Sequence, residues 1–396
     1  MPGRQSTTPA FLYQPTANME AAMNAATEAW SGELLSDVRL SLVKDIGPRL
    51  HANLLAAFGS SQAVLEADHE QLARVEGIGP KLVKCIAAAP PTAEVEAELR
   101  IAEREGIRLI TQRDAAYPVP LTETADPPQV LYLRGDLLPD DALAVAIVGT
   151  RHATQYGLQQ AELLATALAQ AGITVISGLA RGVDAAAHRG ALAGGGRTIA
   201  VIAGGLLEVT PAENLKLADD VANHGCLLSE APPRRPPVPG SFPQRNRLIS
   251  GLSMGVVVIE ADDRSGALIT ARHAGEQGRD VFALPGPVTS RTSRGCHALI
   301  QDGAKLIRDV DDILSELTHL VAPVPREDGG ELRHARELQL NEIERHVLDA
   351  IATTPTEIDN IVFDTKLPVH RVLATVSVLE MRKLIRRISG TQVSRI

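Results

Sequence analysis

Between residues 144 and 317, short apolar runs alternate with longer stretches in which apolar positions recur every three or four residues. The short runs predict strands at Ala144–Val148, Thr174–Ser177, Thr198–Ile202, Gly225–Ser229, Gly255–Glu260 and Asp280–Ala283. They are nearly continuous in apolar character, as strands buried on both faces should be. The intervening stretches, such as Tyr156–Ala171 and Gly266–Gln277, carry helical periodicity. Strand–helix alternation of this kind predicts an α/β fold built on a doubly wound, mostly parallel sheet.

The flanking segments read differently. Residues 1–31 are small and polar without sustained periodicity, which predicts a disordered leader. Leu34 to Ile86 is helical, with Leu50, Leu54, Leu55 and Phe58 on one stripe, and the helical region is taken as 32–110. A helix and then a Pro-rich extended segment lie between Glu94 and Gly135. The α/β region is taken as 111–320. A Pro, Gly and charged run at 321–331 predicts a linker over 321–335, followed by short helices and a basic ending over 336–396.

Two turns interrupt the N-terminal helices: Asp45-Ile46-Gly47-Pro48 and Glu76-Gly77-Ile78-Gly79-Pro80. The second has the form of a helix-hairpin-helix, whose glycines allow a tight turn and expose backbone N–H groups to an anion. A plain helical hairpin used for packing fits the same residues.

Composition narrows the class. Aromatic residues are only 3% of the 396, so Val, Ile, Leu and Ala must fill the cores. No apolar run approaches a membrane span, and the N-terminus lacks the basic start and apolar stretch of a signal peptide. Cys85, Cys226 and Cys296 are far apart and odd in number, against a disulfide framework or zinc site and in keeping with a reducing cytoplasm. The net charge of −9 gives no global attraction for nucleic acid, so DNA binding would need local clusters of basic residues.

Such clusters occur where glycines follow strands. The first predicted strand ends in Ile147-Val-Gly-Thr-Arg151, the second in Ile176-Ser-Gly-Leu-Ala-Arg-Gly-Val-Asp184, and the third in Ile202-Ala-Gly-Gly205. Side by side at the carboxyl ends of parallel strands, these turns predict an anion pocket. Gly149, Gly178 and Gly182 are expected to let a ligand approach the backbone, with Arg151 and Arg181 adding charge and helix N-termini adding donors. Short turns with solvated arginines are the bland alternative. A second cluster, Ser241-Phe-Pro-Gln-Arg-Asn-Arg-Leu-Ile-Ser-Gly251, follows a Pro-rich run containing Arg234 and Arg235. If extended, Arg245 and Arg247 would point alike, flank Asn246 and grip successive phosphates; structural ion pairs are the competing reading. Ser265 stands at a helix start.

Common nucleotide signatures are absent. Neither G-x-x-x-x-G-K-[ST] nor G-x-G-x-x-G appears, so neither a P-loop nor a dinucleotide cofactor is expected, and no cofactor is assigned. Gly251-Leu-Ser-Met-Gly255 matches the hydrolase elbow formally, but the clear strand follows Ser253 instead of preceding it. His188 and His273 have no partner at metal-ligand spacing.

Taken together, these stretches resemble the DNA-processing protein A (DprA/Smf) family over residues 112–310. The matching motifs are Val145-Ala-Ile-Val-Gly-Thr-Arg151 with Tyr156-Gly157, Ser177 to His188, Phe242 to Ser253, Ser265 to Ala271 and Leu284-Pro-Gly286. Asp114, Tyr117-Pro118, Pro127-Pro128 and Leu131-Tyr132 also fit. The resemblance implies a Rossmann-like core that binds single-stranded DNA and forms a homodimer, with no catalytic residue. It implies protection of incoming DNA and loading of the RecA recombinase in natural transformation, with single-strand-binding protein as a further candidate partner. It also implies a variable helical N-terminal domain of helix-hairpin-helix or SAM-like type and a C-terminal winged helix. The DNA-binding residues it supports are Gly149, Thr150, Arg151, Ser177, Gly178, Arg181, Gly182, Lys216, Arg245, Asn246, Arg247, Ser250, Gly251, Ser265 and Gly266. Lys216 enters because a basic contact found in some members is Ala212 here.

The competing class is a nucleotide hydrolase of the lysine-decarboxylase-like, cytokinin-activating type. Its P-G-G-x-G-T-x-x-E signature is not completed at Pro285-Gly286 or at Gly194-Gly-Gly196, which favours binding over chemistry.

Overall fold

A computed structural model describes residues 30–317, 324–325, 331–332, 342–381, 384–388 and 391–395. The expected leader lies almost wholly outside these residues, as does most of the expected linker. Among the described residues six helices come first: α1 (Gly32–Ser41), α2 (Pro48–Phe58), α3 (Ser61–Glu66), α4 (His69–Ala73), α5 (Pro80–Ala87) and α6 (Thr92–Arg104). Gly47 and Gly79 precede Pro48 and Pro80, which open α2 and α5. Proline suits the first helical position because its missing N–H would have no intrahelical partner there. Leu40, Leu54, Val64, Leu72, Val83 and Ile86 share a small core.

The central sheet holds nine strands: β1 (Arg108–Thr111), β2 (Val130–Gly135), β3 (Ala144–Gly149), β4 (Thr174–Ser177), β5 (Thr198–Val201), β6 (Gly225–Ser229), β7 (Gly255–Ile259), β8 (Asp280–Ala283) and β9 (Lys305–Leu306). Their order is β1-β2-β6-β5-β4-β3-β7-β8-β9. The pairs from β6 to β9 are parallel, whereas β1 with β2 and β2 with β6 are antiparallel. The six expected strands all form, within a residue at each end. β1 and β2 fall in the stretch read only as helix and Pro-rich extension, and β9 at the far edge is two residues long.

Strand β3 shows why its run is continuously apolar. Val145 and Ile147 face α8 (Gln155–Gln170) and α9 (Val183–Ala193), while Ala144, Ala146 and Val148 face α11 (Ser241–Gly251) and α12 (Gly266–Glu276). Helix α14 (Val310–Leu317) joins the first layer; α7 (Val119–Thr122) and α13 (Arg294–Gln301) join the second. A third cluster puts α10 (Leu215–His224) against β2, β5 and β6, together with Val38 of α1 and Val95 and Leu99 of α6. Arg113 ties the same end of α1 by ion pairs of 2.5 Å to Glu33 and Asp37. The N-terminal helices therefore share hydrophobic core with the sheet, and β1 begins before the expected boundary at 110/111.

Beyond residue 317, Val324–Pro325 (β10) pairs with Glu331–Leu332 (β11). A three-stranded sheet of β12 (Thr356–Glu357), β14 (Gln392–Arg395) and β13 (Ile385–Arg387) accompanies α15 (Glu342–Asp349), α16 (Ile358–Thr365) and α17 (Val369–Met381), the arrangement of a winged helix. No described helix is long and apolar enough to cross a membrane.

Candidate nucleic-acid interface

The chain leaves β3 toward β4 on one side and later returns to place β7 on the other side. The helix following β3 packs on one face of the sheet and the helix following β7 on the opposite face. Their connecting loops diverge, and the crevice between them is where open α/β sheets bind ligands. A cleft of about 410 Å³ opens there, lined by Gly149, Thr150 and Arg151 after β3, by Phe242, Arg245 and Asn246 of α11, and by Arg264, Ser265 and Gly266 before and at the start of α12.

Arg151 is exposed and stacks over the Phe242 ring at 5.0 Å. Arg264 is exposed on the loop after β7. The N-terminus of α12 follows Arg264 at the same cleft, where the Ser265 hydroxyl accepts from the Ala267 N–H at 3.3 Å. Helix N-termini attract anions through unsatisfied N–H groups and the helix dipole. Asn246 donates to the Gly266 carbonyl at 3.2 Å, linking α11 to that terminus. The Asp262 carboxylate also borders the cleft. The Arg264 N–H holds its pKa below the ordinary carboxylate range, and Arg291 pairs with it at 3.1 Å.

The other expected turns do different work. After β4, Asp184 accepts from the Gly178 and Ala180 N–H groups at 3.2 and 3.4 Å, so a protein carboxylate already occupies that nest. Burial pushes Asp184 up from the ordinary carboxylate value, while the nearby Arg245 draws it down. Gly178 is small because Arg245 lies on it: a Cβ there would sit 1.5 Å from the Arg245 Nη1. Gly182, at φ +74°, lets the β3 and β4 loops touch, since a Cβ would lie 2.4 Å from the Thr150 carbonyl oxygen. In Gly149 the added atom would meet the Ile259 carbonyl and Val183. Each of these glycines clears neighbouring protein atoms, and of the three only Gly149 also borders the cleft. The third turn is sealed by the Pro-rich loop, with the Gly205 N–H donating to the Arg235 carbonyl at 2.8 Å. Arg181 is paired through two 2.8 Å contacts with Glu213.

The Arg245–Arg247 segment is helical, contrary to the extended reading. Residues two apart on a helix point about 200° apart, so the two arginines cannot grip one phosphate track. Both are 6% exposed. Arg247 reaches both Glu230 oxygens at 2.7 Å and the Asp126 carbonyl at 2.7 Å, a structural ion pair. Arg245 donates to the Val201 carbonyl at 3.1 Å beneath the cleft floor, and burial lowers its pKa to about 10.

Of the expected residues, Gly149, Thr150, Arg151, Arg245, Asn246, Ser265 and Gly266 come together in the cleft. Ser177, Gly178, Arg181, Gly182, Lys216, Arg247, Ser250 and Gly251 do not line it. The Ser177 and Ser250 hydroxyls are buried and bonded to the Ile147 carbonyl and to Gln277 at 2.6 Å each, and a Cβ on Gly251 would press on Leu121. Lys216 is exposed on α10 outside the cleft. Arg264 and Phe242 were missed as site residues. Arg264 precedes a helix N-cap just as Arg151 closes a strand turn, a signal visible in the sequence. Phe242 could be placed only once α11 formed.

Elsewhere, α2 and α5 have no side-chain hydrogen bond at their N-caps, and Lys81 of α5 pairs with Asp45 at 2.5 Å. In the C-terminal unit Arg387 pairs with Glu380 at 3.3 Å and Arg395 lies 3.9 Å from Asp349. The side chains of Arg382 and Lys383 lie outside the described residues.

A Rossmann-like sheet with a cationic crevice at its switch point, preceded by a helix-hairpin-helix tandem and followed by a winged helix, defines a DNA-binding protein of the α/β class. The sequence model for DNA recombination-mediator protein A matches residues 108–318, that for the DprA winged helix domain residues 333–391, and that for the SAM-like helix-hairpin-helix tandem residues 37–89. The chain belongs to the DNA recombination-mediator protein A (DprA/Smf) family. It is 34% identical to Protein Smf of Synechocystis over 90% of this chain and 97% of that one. It is 43% identical to DNA processing protein DprA of Bacillus subtilis over 61% of this chain and 78% of that one. The crystal structure of DNA processing protein A from Streptococcus pneumoniae superposes with a TM-score of 0.63 at 33% identity, covering 71% of this chain and 97% of that one.

Proposed function

We propose that this protein binds single-stranded DNA by its sugar–phosphate backbone in the switch-point cleft. The observation that carries the reading is that Arg151 and Arg264, neither within ion-pair distance of a carboxylate among the described residues, line one cleft from the loops after β3 and β7, together with the α12 N-terminus. Charge-assisted contacts to phosphate are strong and indifferent to base. A flexible strand can bend into a recessed cleft, whereas a stiff duplex presents its phosphates on a wide convex surface. Phe242 offers one aromatic face on which a base can stack. The experiment is fluorescence anisotropy with labelled oligothymidylate and a duplex of equal length across a sodium chloride series. Equal affinities, or a flat salt response, would refute the proposal.

We extend the proposal to mediation: protection of incoming strands during natural transformation and loading of RecA, with a homodimer as the acting form and single-strand-binding protein as the species displaced. A grip on the backbone leaves most bases free for a recombinase to read. A strand-exchange assay on DNA coated by single-strand-binding protein, showing no stimulation, counts against it. The action is by binding, without catalysis. Ser253 of the hydrolase-like string is 1% exposed, and its hydroxyl donates to main-chain carbonyls of α11, at Ile249 and Ser250. Release of base from nucleoside monophosphates would restore the hydrolase reading.

A further inference from the structure

Arg151 rides on the loop Thr150–Thr154, and one residue at the end of β7 ties down both ends of that loop. The Thr150 N–H donates to the Glu260 carbonyl at 2.8 Å. The Thr154 N–H donates to Glu260 Oε2 at 2.8 Å, and the Thr154 hydroxyl to Oε1 at 2.6 Å. Thr292 donates to the same Oε1 at 3.1 Å. Glu260 is 6% exposed and holds φ +52°. For a residue other than glycine this backbone conformation is strained, and it persists only where the surroundings over-determine it. Glycine would adopt it freely, so the backbone alone gives no reason for a glutamate. Space is also cleared for the carboxylate: a Cβ on Gly157, in the first turn of α8, would lie 2.3 Å from Glu260 Oε2. Immediately after Glu260 the chain runs through Asp262 and Arg264, which also line the cleft.

We propose that Glu260 is a positioning residue of the cleft, its carboxylate holding the Thr150–Thr154 loop so that Arg151 stands across the switch point from Arg264 and the α12 N-terminus. The inference rests on the single-stranded DNA reading above. Glu260 touches no ligand and acts through Arg151. Its removal therefore lets the arginine wander, at a cost no larger than losing the arginine itself. A role confined to capping α8 would lower stability and leave affinity alone.

The test is a double-mutant cycle on the full chain, with labelled oligothymidylate as probe and a melting curve for every variant. Arg151→Ala, Glu260→Ala and the double variant are compared with Glu260→Gln, whose amide can accept from the Thr154 N–H and donate to its hydroxyl. The expected result is about a tenfold loss for Arg151→Ala, a smaller loss of about three- to tenfold for Glu260→Ala, and no further loss when the two are combined. Glu260→Gln should return affinity to within about twofold of the parent, as a rescue of loop geometry would. Wild-type affinity in a folded Glu260→Ala, or additive losses in the double variant, overturns the positioning role and leaves the binding site intact. Wild-type affinity in Arg151→Ala overturns the binding-site reading itself. If Glu260→Ala does not fold, Thr154→Val removes the hydroxyl contact with Glu260 together with the helix cap on the Gly157 N–H, while the Thr154 N–H keeps its bond to the carboxylate. In that variant an affinity loss absent from the Arg151→Ala background supports the role, and unchanged affinity overturns it.

Discussion

Arg151 and Arg247 share a chemical type, yet opposite outcomes are expected from removing them. Arg151 is exposed, stacks over the Phe242 ring at 5.0 Å and feels the Asp184 carboxylate without forming an ion pair with it. A charge-assisted contact to phosphate is worth about 1.5–3 kcal/mol. An exposed cation–π contact is worth about 0.5–1 kcal/mol, and binding forfeits it if the guanidinium leaves the ring. The net cost of Arg151→Ala to affinity is then about 0.5–2.5 kcal/mol, or about 2- to 70-fold in Kd. Thermal stability should barely move, because the lost contact is exposed and no cavity forms. The slope of log affinity against log salt should flatten by about 0.7, the value for one phosphate contact on a single strand. Anisotropy titrations at several salt concentrations, beside a melting curve, measure both quantities. A folded Arg151→Ala protein with unchanged affinity and slope would sink the proposed site.

Arg247→Ala should instead destabilise by about 2–4 kcal/mol, since it strands Glu230; the figure sits below that for a fully buried pair because the Glu230 side chain is 35% exposed. Urea titration reads that loss, and a stability equal to the parent's would contradict the ion-pair role. Arg181→Ala should leave affinity within about twofold, as Glu213 already engages both guanidinium contacts; a loss matching that of Arg151→Ala would place Arg181 back on the DNA track. Burial lowers the pKa of His51 to about 4, and neither ring nitrogen has a partner. The unfolded chain then takes up the proton first, so stability present above about pH 6.5 is lost as pH falls toward about 4, by about 3 kcal/mol. His51→Leu should flatten that dependence in urea melts, and an unchanged profile would refute it. A chain ending at residue 320 should stay folded and bind oligothymidylate, whereas one starting at residue 108 should melt earlier, because it uncovers the sheet residues that pack on Val38, Val95 and Leu99. Limited proteolysis and melting curves of the two truncations check this.

Strand positions were legible in the sequence because burial on both faces is a local pattern: Val145 to Val148 reads as a central strand whatever its neighbours are. Helix starts at Pro48, Pro80 and Gly266 were equally local. Strands β1 and β9 escaped because short edge strands carry little continuous apolar signal, and β2, although Val130 to Leu133 is apolar and buried, because the prolines ahead of it give the segment the look of an extended loop. The site was only half legible. The glycine turns were visible, but the sequence places them in chain order, next to the strands that follow. Binding geometry depends on spatial order, and β7 inserted beside β3 moves the crevice from the β3–β4–β5 turns to the β3/β7 junction, where Arg264 joins Arg151.

The chain by itself determined the α/β class, the flanking helical units, the family and the arginine after the first strand, because propensity, periodicity and motif spacing are encoded by neighbours in sequence. Tertiary structure alone decided which arginines are available to a ligand. Arg245 and Arg247 differ from Arg151 only in what folds over them: Val201 and Gly178 lie against Arg245, and Glu230 and Asp126 hold Arg247. Each of those partners is well over a dozen positions distant or brought in by another strand. Whether a charge is solvated or spoken for is a property of the assembled packing, not of the residues on either side of it.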